Sequence, residues 1–197
     1  MDVEGQVQKH LVTFCKALPV HVSCWRSVIQ DAAKPLQTLA NLCEQRRHVT
    51  AANLKTFDGF EDAQSQLLYQ ISCLIEEEFL VLKELINKLS KSCNDLKNKL
   101  LTFERSTLTL DWEENSELIR GSGFQPPLSR LLQDGLEFSN FLGRSAKNIS
   151  DRFKSLNLDD EKAIRELQAS FDVNLDDGIV GALIALTQYV DNVKAIL

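Results

Sequence analysis

Glycine and proline are scarce: Gly 8 and Pro 4 in 197 residues. So few turn formers argue against a turn-rich all-β fold. No secretory leader is expected, because the opening MDVEGQVQKH carries Asp2 and Glu4 and has no apolar core. Nor is there a long apolar run. The longest nearly uncharged stretch, Gly178 to Val190, falls short of the roughly 20 residues that a membrane span requires. Basic excess is also missing: Lys plus Arg 22 against Asp plus Glu 28 gives a formal charge of −6. A protein that grips phosphate backbone normally carries the opposite sign, which argues against direct nucleic-acid binding. The five cysteines (15, 24, 43, 73, 93) are odd in number and form no CxxC pair. Reduced thiols in the cytosol or nucleus are the expectation, and cytoplasmic and nuclear localisation goes with it.

Recognisable chemistry is equally scarce. None of His10, His21 and His48 falls in HExxH spacing, and no GxSxG, P-loop or GxGxxG occurs. Cys15, His21 and Cys24 lie close together, but a structural zinc site wants a second ligand pair. Glu76-Glu77-Glu78 falls on a helical stretch, where adjacent side chains diverge, so the three cannot converge on one metal or reacting atom. Asp159-Asp160-Glu161 and Asp176-Asp177 precede apolar stripes and read as helix caps. No catalytic residue, metal site or cofactor is expected.

What the chain does have is helical periodicity. Val3, Val7, Leu11, Phe14 and Leu18 form an amphipathic stripe that should stop near Pro19. Val22, Trp25, Ile29, Leu36, Leu39 and Cys43 continue it, with a kink or break expected at Lys34 before Pro35. Periodicity fades over 46–60, where Asp58-Gly59 signals a turn. The pattern then becomes strict. Leu68, Ile75, Leu82, Leu89, Leu96 and Phe103 recur every seven residues, accompanied by Ser72, Phe79, Ile86, Cys93 and Leu100. Five heptads in register specify one long helix of about 54 Å whose seam needs a partner. That partner is either the chain's own first helices or another subunit.

Residues 104–127 interrupt the pattern with Gly121, Gly123, Pro126 and Pro127, and place Trp112 in an acidic stretch. Such an aromatic docks into a groove on its own protein or on a partner. The apolar stripe resumes through Leu128, Leu131, Leu132, Leu136, Phe138, Leu142, Ile149 and Phe153. Gly135 and Gly143 within it weaken the helix unless they permit close contact. Two short helices follow, one carrying Ile164, Leu167 and Phe171, the last Ile179, Leu183, Leu186, Val190 and Val193. The expectation is an all-α fold: an elongated helical bundle or hairpin over 1–107, a linker over 108–127 and a smaller C-terminal helical block over 128–197. The candidate partner-binding residues are Leu68, Ile75, Phe79, Leu82, Ile86, Leu89, Leu96 and Trp112.

CWRSVIQDAAKPLQTLANLCEQ from Cys24, then AANLKTFDGFEDAQSQLLYQI, resembles the N-terminal half of the AIRIM family of ribosome-maturation factors. The pattern is carried by Trp25, Ser27, Asp31, Pro35-Leu36, Leu39, Leu42, Glu44-Gln45, Asn53-Leu54 and Phe57. The segment PPLSRLLQDGLEFSNFLGRSAKNISDRFKSL resembles the family's second helical block, though with only Arg144, Lys147, Arg152 and Lys154 as cations between Glu137 and Leu156. The resemblance implies a non-catalytic subunit that works with a double-ring Afg-type AAA+ ATPase and a second small helical protein like CINP. It implies a role in cytoplasmic maturation of pre-60S particles and in replisome proteostasis; the heptads, for their part, point to the long helix as the element that pairs with the sister subunit. Trp112 or the C-terminal helices would dock on the ATPase. Without that resemblance, the heptads fit a coiled-coil scaffold of another assembly equally well.

Overall fold

The computed structural model describes residues 3–52, 59–176 and 178–190, and among them contains six α-helices and no strand. These are α1 (Val3–Ala51), α2 (Phe60–Ser106), α3 (Glu117–Arg120), α4 (Leu128–Lys154), α5 (Glu161–Ser170) and α6 (Gly178–Thr187). The protein is all-α, as its periodicity requires.

Helix α1 departs from expectation by running unbroken through both Pro19 and Pro35 over 49 residues. Each interior proline costs about 3 kcal/mol by removing one backbone hydrogen bond and crowding the preceding turn. Phe14, Leu18, Val22 and Trp25 straddle Pro19 and are at most 2% exposed, and Ala32, Leu36 and Leu39 flank Pro35 at 5% or less. At about 1.5–3 kcal/mol for each large apolar side chain buried, the continuous stripe outweighs the two breaks. The helix also persists through 46–51, beyond the loss of period. There the Gln64 amide donates to the carbonyls of Val49 (2.6 Å) and Ala52 (3.2 Å), adding to the Ala52 N–H bonds that close the last turn. Gly59, at φ +78°, takes the left-handed conformation that the Asp58-Gly59 turn signal implies. Asn53, Leu54, Phe57, Asp177 and Val193 lie outside the described residues.

The chain divides into two compact units. Unit 1 comprises 1–26, 89–145 and 174–197; unit 2 comprises 27–88 and 146–173. Each therefore gathers segments distant in sequence, whereas the sequence-based division into 1–107, 108–127 and 128–197 runs along the chain.

In unit 1, α1, α2 and α4 meet around Phe14, whose ring stacks on Phe103 at 6.0 Å. Gly135 of α4 lies against this pair: a Cβ there would stand 2.9 Å from Phe14 Cζ and 3.2 Å from Leu100 Cδ1. The glycine thus permits close helix contact. Gly143 has nothing within 4 Å of a Cβ and plays no such part. Leu136, assigned to the core stripe by spacing, is 53% exposed. The buried face runs Leu128, Leu131, Gly135, Phe138 and Leu142, and Leu136 is one residue, or 100°, off it. In α6 the buried face is likewise Val180, Leu183 and Thr187, while Ile179 is 45% exposed.

The segment before α4 is more ordered than its composition suggests. Ser116 caps α3 by accepting from the Ile119 N–H, and Gly121 ends it at φ +89°, its N–H donating to the Glu117 carbonyl. A Cβ at Gly121 would stand 2.8 Å from the backbone of Gln125 and Pro127. Gln125 is buried, its side chain donating to the Leu118 carbonyl (3.0 Å).

In unit 2, Phe79 of α2 meets Phe153 of α4 at 5.1 Å, and the Gln168 amide of α5 donates to the Leu36 carbonyl of α1. Asp160 caps α5, as its position predicts, with Oδ1 accepting from the Lys162 N–H at 2.9 Å. Arg152 pairs with Glu166, and Arg46 with Asp159 at 3.7 Å.

Candidate functional site

The heptad seam of α2 is largely buried by the chain itself. In unit 2, Ile75, Leu82 and Ile86 are at most 5% exposed, and Leu68 and Phe79 are half-buried. In unit 1, Leu89 and Leu96 are at most 1% exposed. Of the two partners the heptads allowed, the chain's own helices cover these positions, and replacing Leu82 or Leu89 by Asp would test folding rather than binding. Trp112 is different. It is 40% exposed, close in sequence to Leu108 at 78%, on a turn where Asp111 Oδ1 accepts from the Glu113 N–H at 3.1 Å.

Spacing gave no warning of one constellation. In unit 1, His21 Nδ1 lies 2.7 Å from Ser92 Oγ, and His21 Nε2 lies 3.1 Å from Asp95 Oδ2, which Lys99 Nζ also meets at 2.5 Å. An ionised carboxylate only accepts, so neutral His21 carries its proton on Nε2, and the Ser92 hydroxyl donates to Nδ1. Serine, histidine and aspartate are the residue types of a hydrolase triad. Here Ser92 and Asp95 lie within α2, whose interior N–H groups are engaged in the helical ladder, so no pair of amides is free to hold an oxyanion. His21 and Ser92 are 6% and 8% exposed and line neither groove described below. Burial holds His21 below its ordinary pKa against the pull of Asp95, while Lys99 and His21 hold Asp95 low. The cluster joins two helices; it is not arranged for acyl transfer.

Other reactive groups are similarly placed. Burial raises the Cys15 thiol to about 12 and the Cys93 thiol to about 11, the Trp25 indole pulling weakly the other way in the latter. These thiols stay protonated and are poor nucleophiles. Trp25 Nε1 finds no hydrogen bond of ordinary geometry, so its link to Cys93 is a weak sulfur contact. Unit 2 has a groove of about 350 Å³ lined by Gln37, Asn41, Arg47, His48, Glu161 and Arg165 among others, with charges of both signs. Unit 1 has one of about 330 Å³ lined by Val12, Cys15, Lys16, Pro19, Ile184, Thr187 and Gln188. Among the described residues no three His, Cys, Asp or Glu side chains could share a metal, and no helix is long and apolar enough to cross a membrane.

A family model described as CA109-like, "Ribosome biogenesis protein C1orf109-like", matches residues 5–188. The chain belongs to this family. It is the family that goes by the name AIRIM, to which the Trp25 to Phe57 pattern pointed. Its members are ribosome biogenesis proteins by description, and the match takes in all of α2–α6 and nearly all of α1. No curated protein matches the chain significantly.

This family member also exposes large apolar side chains at a regular spacing. On the unit 2 part of α2, Leu67, Leu74 and Val81 are 44%, 46% and 44% exposed. Sequence reasoning finds apolar flanks beside the seam at Ile71 and Leu85, which the structure buries at 3% and 5% exposed, but not these three exposed neighbours. Their signal was there, since they repeat every seven residues one position before the seam, but the stronger pattern masked it.

Proposed function

We propose that this protein is a non-catalytic helical adaptor in ribosome biogenesis. It acts with a double-ring AAA+ ATPase in the cytoplasmic maturation of pre-60S particles, where assembly factors are released and recycled. A CINP-like small helical protein is its sister subunit, replisome proteostasis is a second setting, and the protein works in both cytoplasm and nucleus. The observation that carries the reading is the family match over residues 5–188. It is supported by the Ser92–His21–Asp95 cluster, which is held between two helices and lines neither groove, and by exposed apolar side chains suited to protein contact. Trp112, half-exposed on a hydrogen-bonded turn among Asp111, Glu113 and Glu114, is the side chain offered to the ATPase.

The test is to tag the chain in its own cells, recover it with a slowly hydrolysed ATP analogue and identify bound proteins by mass spectrometry. Recovery of a double-ring AAA+ ATPase with a second small helical protein, the latter retained when the ATPase is removed from the cells, is the expected result. Recovery of long-helix partners with no ATPase, and normal pre-60S maturation after depletion of this chain, would overturn the reading.

A further inference from the structure

Helix α2 carries two apolar rows, one largely buried by the chain and the other buried along only one margin. The second consists of Leu67, Ile71, Leu74, Glu78, Val81 and Leu85. Its steps of 4, 3, 4, 3 and 4 are those of a coiled-coil seam, laid beside the first on the same helix. Ile71 and Leu85 are 3% and 5% exposed, so one margin of the row joins the core. Leu67, Leu74 and Val81 form the other margin and keep nearly half their surface in water. A single exposed leucine needs no explanation. Three aligned at heptad intervals over about 21 Å of helix form a ledge along one side of it, interrupted by Glu78.

Charge selects what fits it. From Phe60 to Leu85 the helix carries Glu61, Asp62, Glu76, Glu77, Glu78 and Glu84 against a single cation, Lys83. Glu78 stands in the row itself, and Glu77 and Glu84 follow its outer side at helical spacing. A second copy packed on this ledge would bring acid against acid, which costs stability where like charges face each other in a helical pair. A helix flanked by Lys and Arg would find both the apolar ledge and opposite charge.

We propose that the Leu67–Leu74–Val81 ledge of α2 docks a basic amphipathic helix, about 18 residues long, from another protein. This deepens the adaptor reading above by naming a surface and the chemistry of its partner.

The test uses the full chain and two synthetic helices with the same Leu/Ile seam, one flanked by Lys and Arg and the other by Glu. Fluorescence polarisation at low salt should show the basic helix binding at least about 30-fold more tightly than the acidic one, with a preference that shrinks as salt rises. Leu74→Ser with Val81→Ser should abolish binding while the melting temperature changes little. Glu77→Lys with Glu78→Lys, keeping the ledge, should exchange the preference. Equal binding of the two helices, no binding of either, or unchanged binding by the Ser variant would overturn the proposal. So would a concentration-dependent dimer in sedimentation that the Ser variant dissolves, since a second copy would then cover the ledge. These outcomes are read without the ATPase, so the surface and the adaptor role can fail separately.

Discussion

The two compact units draw on the same three long helices and hold them in different ways. Unit 1 uses close packing and a buried polar cluster: Gly135 against Phe14, and His21 between Ser92 and Asp95. Unit 2 packs Phe79 on Phe153, adds the surface pairs Arg46–Asp159 and Arg152–Glu166, and leaves a heptad-spaced apolar row of α2 nearly half in water. A helix face that is fully matched inside is occupied with stability. One that is fastened at the rim keeps a side for another molecule.

Substitutions can sharpen this contrast. The largest effect is expected from Phe14→Ala, which empties the centre of unit 1 and should cost about 3–5 kcal/mol in denaturant unfolding. Gly135→Ala comes next. The added methyl meets a Phe14 ring that is fully buried and stacked, so the overpacking penalty of about 1–3 kcal/mol exceeds the roughly 1 kcal/mol gained in helix propensity. Gly143→Ala, with open space around it, should instead stabilise by about 0.5–1 kcal/mol, and the opposite signs of the two glycines are the informative result.

Acid should weaken unit 1 through His21. Its pKa is lowered in the folded protein, so the unfolded chain takes up the proton first as pH falls below 6.5. The stability held by the neutral ring is complete above that value and declines as pH drops towards the folded pKa. Melting temperature followed through this range should fall in the native protein and stay flatter in His21→Leu, once the separate loss from Asp95 at lower pH is set aside. The smallest effect belongs to the rim of unit 2: Arg46→Ala should shift unfolding by less than about 1 kcal/mol, because a half-exposed pair at 3.7 Å is strongly screened.

Much of this architecture was legible in the sequence. The α2 seam, the Asp160 cap, the helix start after Pro127 and the Gly59 turn follow from local chemistry, and the structure reproduces them. Continuity through Pro19 and Pro35 was not, because a local cost was set against burial that only the folded chain supplies. Gly135 and Leu136 exchanged roles for a similar reason. Spacing favours the larger apolar side chain, while the fold needs a position with no side chain at all. His21 and Ser92 of the His21–Ser92–Asp95 cluster are 71 residues apart in sequence, and the cluster left no periodic trace. The ledge on α2 did leave one, hidden beneath a stronger repeat.

The amide of Gln64 also bears on the order in which the chain assembles. Its bonds to Val49 and Ala52 close loops of 15 and 12 residues, whereas His21 and Ser92 are 71 apart. Loop-closure entropy grows with the logarithm of that separation, so closing the Gln64 contact costs less than closing the distant ones, and early formation is the expectation. Removing it with Gln64→Ala should therefore slow refolding more than it speeds unfolding, placing the folding nucleus at the turn between the two longest helices.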